Sequence, residues 1–132
     1  MFKEIRTTNA PAPVGPYSQA LEVKSHQGLG TVYCSGQIPL DPSTNQMVGK
    51  TAGEQASQVF KNMEAVLKEA GLNFSNVIKT SIFMTDLAAF GEVNALYEKT
   101  FGTHRPARST VQVAALPKGA LVEIECIAIR GN

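Results

Sequence analysis

Two cysteines, two histidines and no marked excess of either charge sign characterise this 132-residue sequence first by what it cannot supply. A disulfide framework needs more thiols than Cys34 and Cys126 provide, and a cysteine metal site needs them closer together. Both lie inside apolar, strand-like segments, so they are expected to be buried, reduced and structural. Twelve Lys and Arg against eleven Asp and Glu leave a formal charge of +1. Binding nucleic acid through its phosphates calls for a marked basic excess, so the balance favours a small-molecule site or a protein interface. No apolar run approaches the roughly 20 residues that cross a bilayer. The start, Met1-Phe2-Lys3-Glu4-Ile5-Arg6, is too charged for a secretory signal. The expectation is a cytoplasmic protein with no membrane partner.

The common catalytic signatures are missing as well. There is no Walker A loop, no G-x-S-x-G elbow, no H-E-x-x-H and no C-x-x-C. Gly28-Leu29-Gly30 lacks the third glycine and the following helix of a dinucleotide site. His26, in a polar loop, and His104, after a predicted helix, read as surface residues rather than metal ligands.

What is present describes one α+β domain over residues 1–132, since a chain of this length buries roughly 70% of its unfolded surface in a single core. Ala56, Val59, Phe60, Met63, Val66, Leu67 and Ala70 follow helical spacing and predict a helix from Thr51 to Ala70. Thr51 and Glu54 have capping-box spacing at its start, and Gly71 suits a left-handed residue at its end. A second helix is predicted from Phe90 to Phe101, with Asp86 starting the turn before it. Strands are expected at Lys3–Arg6, Gln19–Val23, Thr31–Ser35, Val77–Met84, Ala107–Val113 and Leu121–Arg130, and a turn-rich loop at Pro39–Lys50. The order implies a sheet of about six strands with two helices on one face.

The last strand alternates an apolar row, Val122, Ile124, Cys126 and Ala128, with a mixed row of Leu121, Glu123, Glu125, Ile127 and Ile129. The strand before it places Arg108, Thr110 and Gln112 opposite Val111 and Val113, and the arginine is read as part of the same mixed face. A half-apolar second face predicts burial against another copy of the chain. An arginine there needs an anion. Its partner is either Glu123 or Glu125, or a ligand carboxylate held through two hydrogen bonds. Glu123 carries the matching alternatives of ion-pair partner or water-orienting carboxylate. A simple hairpin turning at Leu116-Pro117-Lys118-Gly119 would put Arg108 and Glu123 on one face but out of register.

Pro106-Ala107-Arg108-Ser109, Val111, Val113, Leu116-Pro117-Lys118 and Val122-Glu123-Ile124-Glu125 together resemble the signature of the RidA (YjgF) family of reactive intermediate deaminases. The match continues through Asn9-Ala10-Pro11, Gly15-Pro16-Tyr17-Ser18-Gln19, Ser35-Gly36-Gln37-Ile38-Pro39, Val93-Asn94-Ala95 and Tyr97, in order and over nearly the whole chain. The resemblance implies a chorismate-mutase-like α+β fold assembled as a homotrimer with inter-subunit sites. It implies hydrolysis of 2-iminobutanoate and 2-iminopropanoate, the enamine/imine products of pyridoxal-phosphate-dependent dehydratases, to 2-keto acids and ammonia. No cofactor or metal is expected.

On that reading Arg108 binds the substrate carboxylate and Glu123 orients or deprotonates water. The Gly36 carbonyl holds the imine nitrogen, and the Thr110 backbone amide assists at the carboxylate. Tyr17 lines the cleft, with Asn94 and Ser35 as further substrate contacts; for each of these three a local structural role stands beside the functional one. Some members carry Cys where this chain has Thr110, which a backbone role tolerates. The competing readings are an endoribonuclease or translation inhibitor, and a non-catalytic carboxylate-binding or chaperone-like protein.

Overall fold

The computed structural model describes residues 1–131. Strands β1 (Phe2–Ile5), β2 (Ala20–Lys24) and β3 (Gly30–Gln37) are followed by α1 (Ala52–Glu69), β4 (Val77–Met84), α2 (Phe90–Phe101), β5 (Ala107–Gln112) and β6 (Val122–Arg130). They form a six-stranded sheet ordered β1-β2-β3-β6-β4-β5. The expected helices and strands are all present, with ends shifted by a residue or two at most of the strands.

The strand order overturns the hairpin expected between the last two strands. The final strand inserts between β3 and β4 and runs antiparallel to both, while β5 lies at the edge, paired only with β4 and parallel to it. The return connection from β4 through α2 makes this possible, because parallel neighbours require a crossover and a helix supplies it.

Helix α1 begins as its sequence prescribes. Thr51 accepts a hydrogen bond from the Glu54 amide at 3.2 Å. The reciprocal half of the capping box is displaced by one residue, since Glu54 accepts from the amide of Lys50 at 2.8 Å rather than from Thr51. Gly71 takes the left-handed conformation, φ +74°, after the last turn. Asp86 caps the short 3-10 turn Leu87–Ala89 by accepting from the Ala88 amide.

The apolar stripe of α1 lies on the row Val122, Ile124, Cys126 and Ala128, all of them buried. Leu67 and Val59 are fully enclosed; truncating such a leucine to alanine costs about 2–5 kcal/mol. Cys34 and Cys126 are buried register partners on β3 and β6, and the neighbouring Cys34 thiol, with burial, pushes the Cys126 thiol pKa up. A smaller cluster of Ile38, Leu40 and Ala120 holds the turn-rich loop beyond β3. There Asn62 of α1 donates to the carbonyls of Ile38 and Leu40.

Among the described residues, no helix covers the opposite face of the sheet. Tyr33, Val111 and Ile129 are exposed on it, beside half-buried Glu123 and Glu125. Among the described residues no helix is long and apolar enough to cross a membrane.

Candidate active site

Strand register decides where each candidate side chain points. The buried residues Val122, Ile124 and Cys126 of β6 pair with Met84, Ile82 and Thr80 of β4. Those in turn pair with Gln112, Thr110 and Arg108 of β5. Register partners share a face, so Arg108, Thr110 and Gln112 stand on the helix-covered side. Arg108 is therefore not on the mixed face of β6 that its sequence context predicts. Glu123 pairs with Phe83, and Phe83 with Val111, on the uncovered side. Arg108 and Glu123 therefore lie on opposite faces of one sheet. No ion pair joins Arg108 to Glu123 or Glu125; among the described residues the ion pairs are Arg105–Glu98 at 3.9 Å and Arg130–Glu22 at 2.8 Å.

Arg108 is instead held by α2. Its Nη1 donates to Asn94 Oδ1 at 2.7 Å. Its guanidinium carbon stands 4.8 Å from the centre of the Tyr97 ring and 5.1 Å from that of Phe90. Phe90, Asn94 and Tyr97 are spaced i, i+4, i+7, which places all three on one side of the helix. A cation over an aromatic face gains about 0.5–2 kcal/mol without losing its charge. The arginine keeps N–H donors beyond the one engaged by Asn94, and it faces a cavity of about 480 Å³ lined by Asn94, Tyr97, Glu98, Arg105, Pro106 and Arg108. Two residues along β5 on the same face, the Thr110 hydroxyl is buried without a hydrogen-bond partner, the sole such side-chain atom among the described residues. A buried polar atom left unpaired is uncommon in a finished structure and is often completed by a ligand or water.

The remaining candidates gather on the other side. The Glu123 side chain lies against the backbone of Gly36: a methyl group built there would stand 2.8 Å from the Glu123 carboxyl carbon. Gly36 sits where β3 bulges and its register against β6 shifts. Burial, and then the negative charge of Glu125, raise the Glu123 pKa above its ordinary 4.5. Ser35 donates to the Ser18 carbonyl at 2.6 Å, so its proton is spent on the neighbouring loop. Tyr17 is half exposed, and its hydroxyl accepts from the Val14 amide at 3.3 Å. Tyr17 and Ser35 share a cavity with Tyr33 and Glu125.

The seven candidates thus fall into two groups, Arg108, Asn94 and Thr110 on one side and Tyr17, Ser35, Gly36 and Glu123 on the other. Sequence reasoning missed Phe90 as an arginine contact, although its spacing from Asn94 and Tyr97 was a usable signal. His104 is also corrected: it is half-buried, with Nε2 2.6 Å from the Val77 carbonyl, rather than a free surface residue. Among the described residues no three His, Cys, Asp or Glu side chains come together to hold a metal ion.

Residues 7–130 match the family model described as Endoribonuclease L-PSP. A mouse protein named 2-iminobutanoate/2-iminopropanoate deaminase is 49% identical over 129 residues, covering 98% of this chain and 92% of its own length. The structure of YyfA from Yersinia pestis, described as a Rid-family protein, superposes with a TM-score of 0.87 at 48% identity, covering 97% of this chain and 98% of its own. E. coli TdcF, solved with bound serine, gives a TM-score of 0.89 at 39% identity, covering 98% and 99%. With the six-stranded sheet, the two helices and the motif residues in matching order, the chain belongs to the Endoribonuclease L-PSP family, the family also known as RidA or YjgF.

Proposed function

We propose that this chain is a cofactor-independent hydrolase of 2-imino acids, converting 2-iminobutanoate and 2-iminopropanoate with one water to the 2-keto acids and ammonia. The observation that carries the reading is the Arg108 guanidinium, held by Asn94 and two aromatic rings with no carboxylate partner among the described residues. A cation fixed without neutralisation beside an open cavity suits a small carboxylate, and the fork geometry favours two parallel hydrogen bonds. The activity named for close mammalian relatives agrees with that ligand class.

The chemistry asks little of the protein. A protonated imine carbon is already electrophilic, so the site has to hold the substrate and aim water at it. Glu123, with its raised pKa, is suited to take a proton from that water as it adds, to return it to the nitrogen of the resulting carbinolamine, and to take up the hydroxyl proton as ammonia leaves and the keto carbonyl forms. The Gly36 carbonyl accepts from the imine N–H, and the Thr110 amide supports Arg108 at the carboxylate. Tyr17 and Ser35 wall the cleft, and Asn94 holds the arginine.

The carboxylate and imine carbons of a 2-imino acid are bonded neighbours, so one substrate cannot meet side chains on opposite faces of a sheet. A homotrimer joins the two groups. One copy supplies Arg108, Asn94 and Thr110, and the adjacent copy supplies Tyr17, Ser35, Gly36 and Glu123. The half-apolar uncovered face, with Tyr33, Val111 and Ile129 exposed, supports such an assembly. We place this activity in the cytoplasm, with no membrane partner.

The test couples a purified pyridoxal-phosphate-dependent dehydratase to this protein and follows release of the 2-keto acid. Added protein should accelerate release, and Arg108→Ala should abolish the acceleration. The description of the matched family supports a second reading as an endoribonuclease. RNA cleavage that survives Arg108→Ala, without any imine hydrolysis, would replace the first reading by the second.

A further inference from the structure

We infer that Tyr97, tied through its hydroxyl to Thr80, is the positioning residue that sets where the Arg108 guanidinium stands and hence how well the site binds a carboxylate. The inference rests on the reading of Arg108 as the carboxylate anchor and assigns the groups that aim it.

Arg108 needs such an anchor. It is an exposed, rotamer-rich side chain on an edge strand, and its one side-chain hydrogen bond, to Asn94, leaves the guanidinium plane free to tilt. The Tyr97 ring is the nearer of the two rings beneath it, at 4.8 Å, and is 6% exposed, whereas Phe90 is only half-buried. Tyr97 also packs on Phe60 and Phe101, so it connects the arginine to the rigid core.

The hydroxyl is the informative feature. Thr80 occupies a helix-facing row with Ile82 and Met84, all three fully buried, where a valine would fill the same space. Its Oγ1 lies 2.8 Å from Tyr97 Oη. Two buried hydroxyls that bond each other gain little stability over the Val and Phe pair that would replace them. What the bond does is geometric. It pins the far end of the tyrosine's long axis, and it pins it to the residue that is the register partner of Arg108 itself. The backbone of Arg108 and the ring under its guanidinium are thereby fixed to one point on β4. Burial raises the phenol pKa, so the hydroxyl stays protonated and the bond persists across the working pH range.

A purely structural role for Tyr97 would alter thermal stability and leave ligand affinity alone. Binding of 2-oxobutanoate, a stable carboxylate probe, is therefore measured by calorimetry alongside KM, kcat and Tm for Tyr97→Leu, Tyr97→Phe, Thr80→Val, the Phe/Val double variant and Arg108→Ala. Tyr97→Leu should weaken the probe and raise KM by about threefold to tenfold, with kcat nearly unchanged. Tyr97→Phe keeps the ring but frees its far end, so it should recover only part of that loss and bind the probe about twofold to threefold more weakly than the parent. Thr80→Val should match it, and the double variant should be no worse than either single change. If Tyr97→Leu fails to fold, the Phe and Val variants carry the test alone. The inference fails if Tyr97→Phe, Thr80→Val and their combination bind the probe as the parent does while Arg108→Ala loses it. It also fails if Tm falls without any change in affinity. Unchanged probe binding by Arg108→Ala would instead overturn the reading of Arg108.

Discussion

The Glu123 carboxylate lies over Gly36 so closely that any side chain at that position would take its place, with an added methyl 2.8 Å from the carboxyl carbon and 3.0 Å from Cγ. The two residues sit on neighbouring strands, β6 and β3, at the point where the β3 bulge shifts their register. The missing Cβ is therefore what lets the Glu123 carboxyl group rest against the backbone of Gly36. On the proposed reading, that arrangement would hold the imine nitrogen and the attacking water next to each other.

Gly36→Ala should consequently act on catalysis rather than on the fold. The carboxylate is the far end of a flexible side chain and can swing aside, so Tm should change by only a few degrees (about 1 kcal/mol or less). Displacing it by about 1 Å should lower kcat by roughly 10- to 100-fold. The coupled keto-acid assay and a thermal melt on the same sample decide it. A full rate in Gly36→Ala would mean that the Glu123 position does not matter.

The acid side of the rate profile should report Glu123. Water activation needs the ionised carboxylate, so the rate should rise with pH through a pKa above the ordinary 4.5. Burial is the larger cause of the shift and the Glu125 charge the smaller. Glu125→Gln should therefore move the acid limb down only part of the way, while Glu123→Gln should remove it. Measured kcat against pH for the three proteins is the check, and an unmoved limb in Glu123→Gln would assign it to another group.

Mixing two inactive variants tests whether sites are shared. Arg108→Ala and Glu123→Ala chains, unfolded together and refolded, should form mixed trimers, each with one site whose Arg108 and Glu123 are both intact. Random assembly predicts recovery of about a quarter of the parent activity. Sites confined to single chains would recover nothing beyond the two residual rates.

Acid stability should depend on Glu22. This carboxylate is 3% exposed and accepts from Arg130 Nε at 2.8 Å and Nη2 at 3.2 Å, and Arg130 also donates to the Ala70 carbonyl. The hydrogen bond with Arg130 is the main reason its pKa lies below the ordinary 4.5. A lowered native pKa means that the charged form favours folding. The contribution is complete above the unfolded carboxylate range and is lost as pH falls through the native value. Glu22→Gln should cost about 2–4 kcal/mol at about pH 7, with the difference shrinking towards about pH 3. Denaturant melts at both pH values measure this, and a pH-independent difference would exclude the ion pair as its source.

Much of this architecture was legible locally. The helix over Phe90–Phe101 and the strand over Val77–Met84 occur with the expected bounds, because amphipathic spacing and β-branched runs act within a few residues. The alternation of β6 correctly separated Val122, Ile124, Cys126 and Ala128 from Glu123 and Glu125. The same logic misled at β5. Alternation states which residues of a strand share a side, but it does not state which side faces the helices. It was also blind to the roles of Phe90 and Thr80, whose contact with Arg108 or with the tyrosine beneath it crosses between elements.

By itself the sequence determined a single α+β chain, its elements, its family signature and the identity of the candidate residues. Only the tertiary structure decided that β6 inserts between β3 and β4 and that β5 runs parallel at the edge. Strand order is set by which apolar rows can be buried together under α1 and α2, a property of the whole core rather than of any short segment. That choice put Arg108 under α2 and Glu123 over Gly36 on opposite faces, and it divided one list of polar residues between the two sides of the sheet.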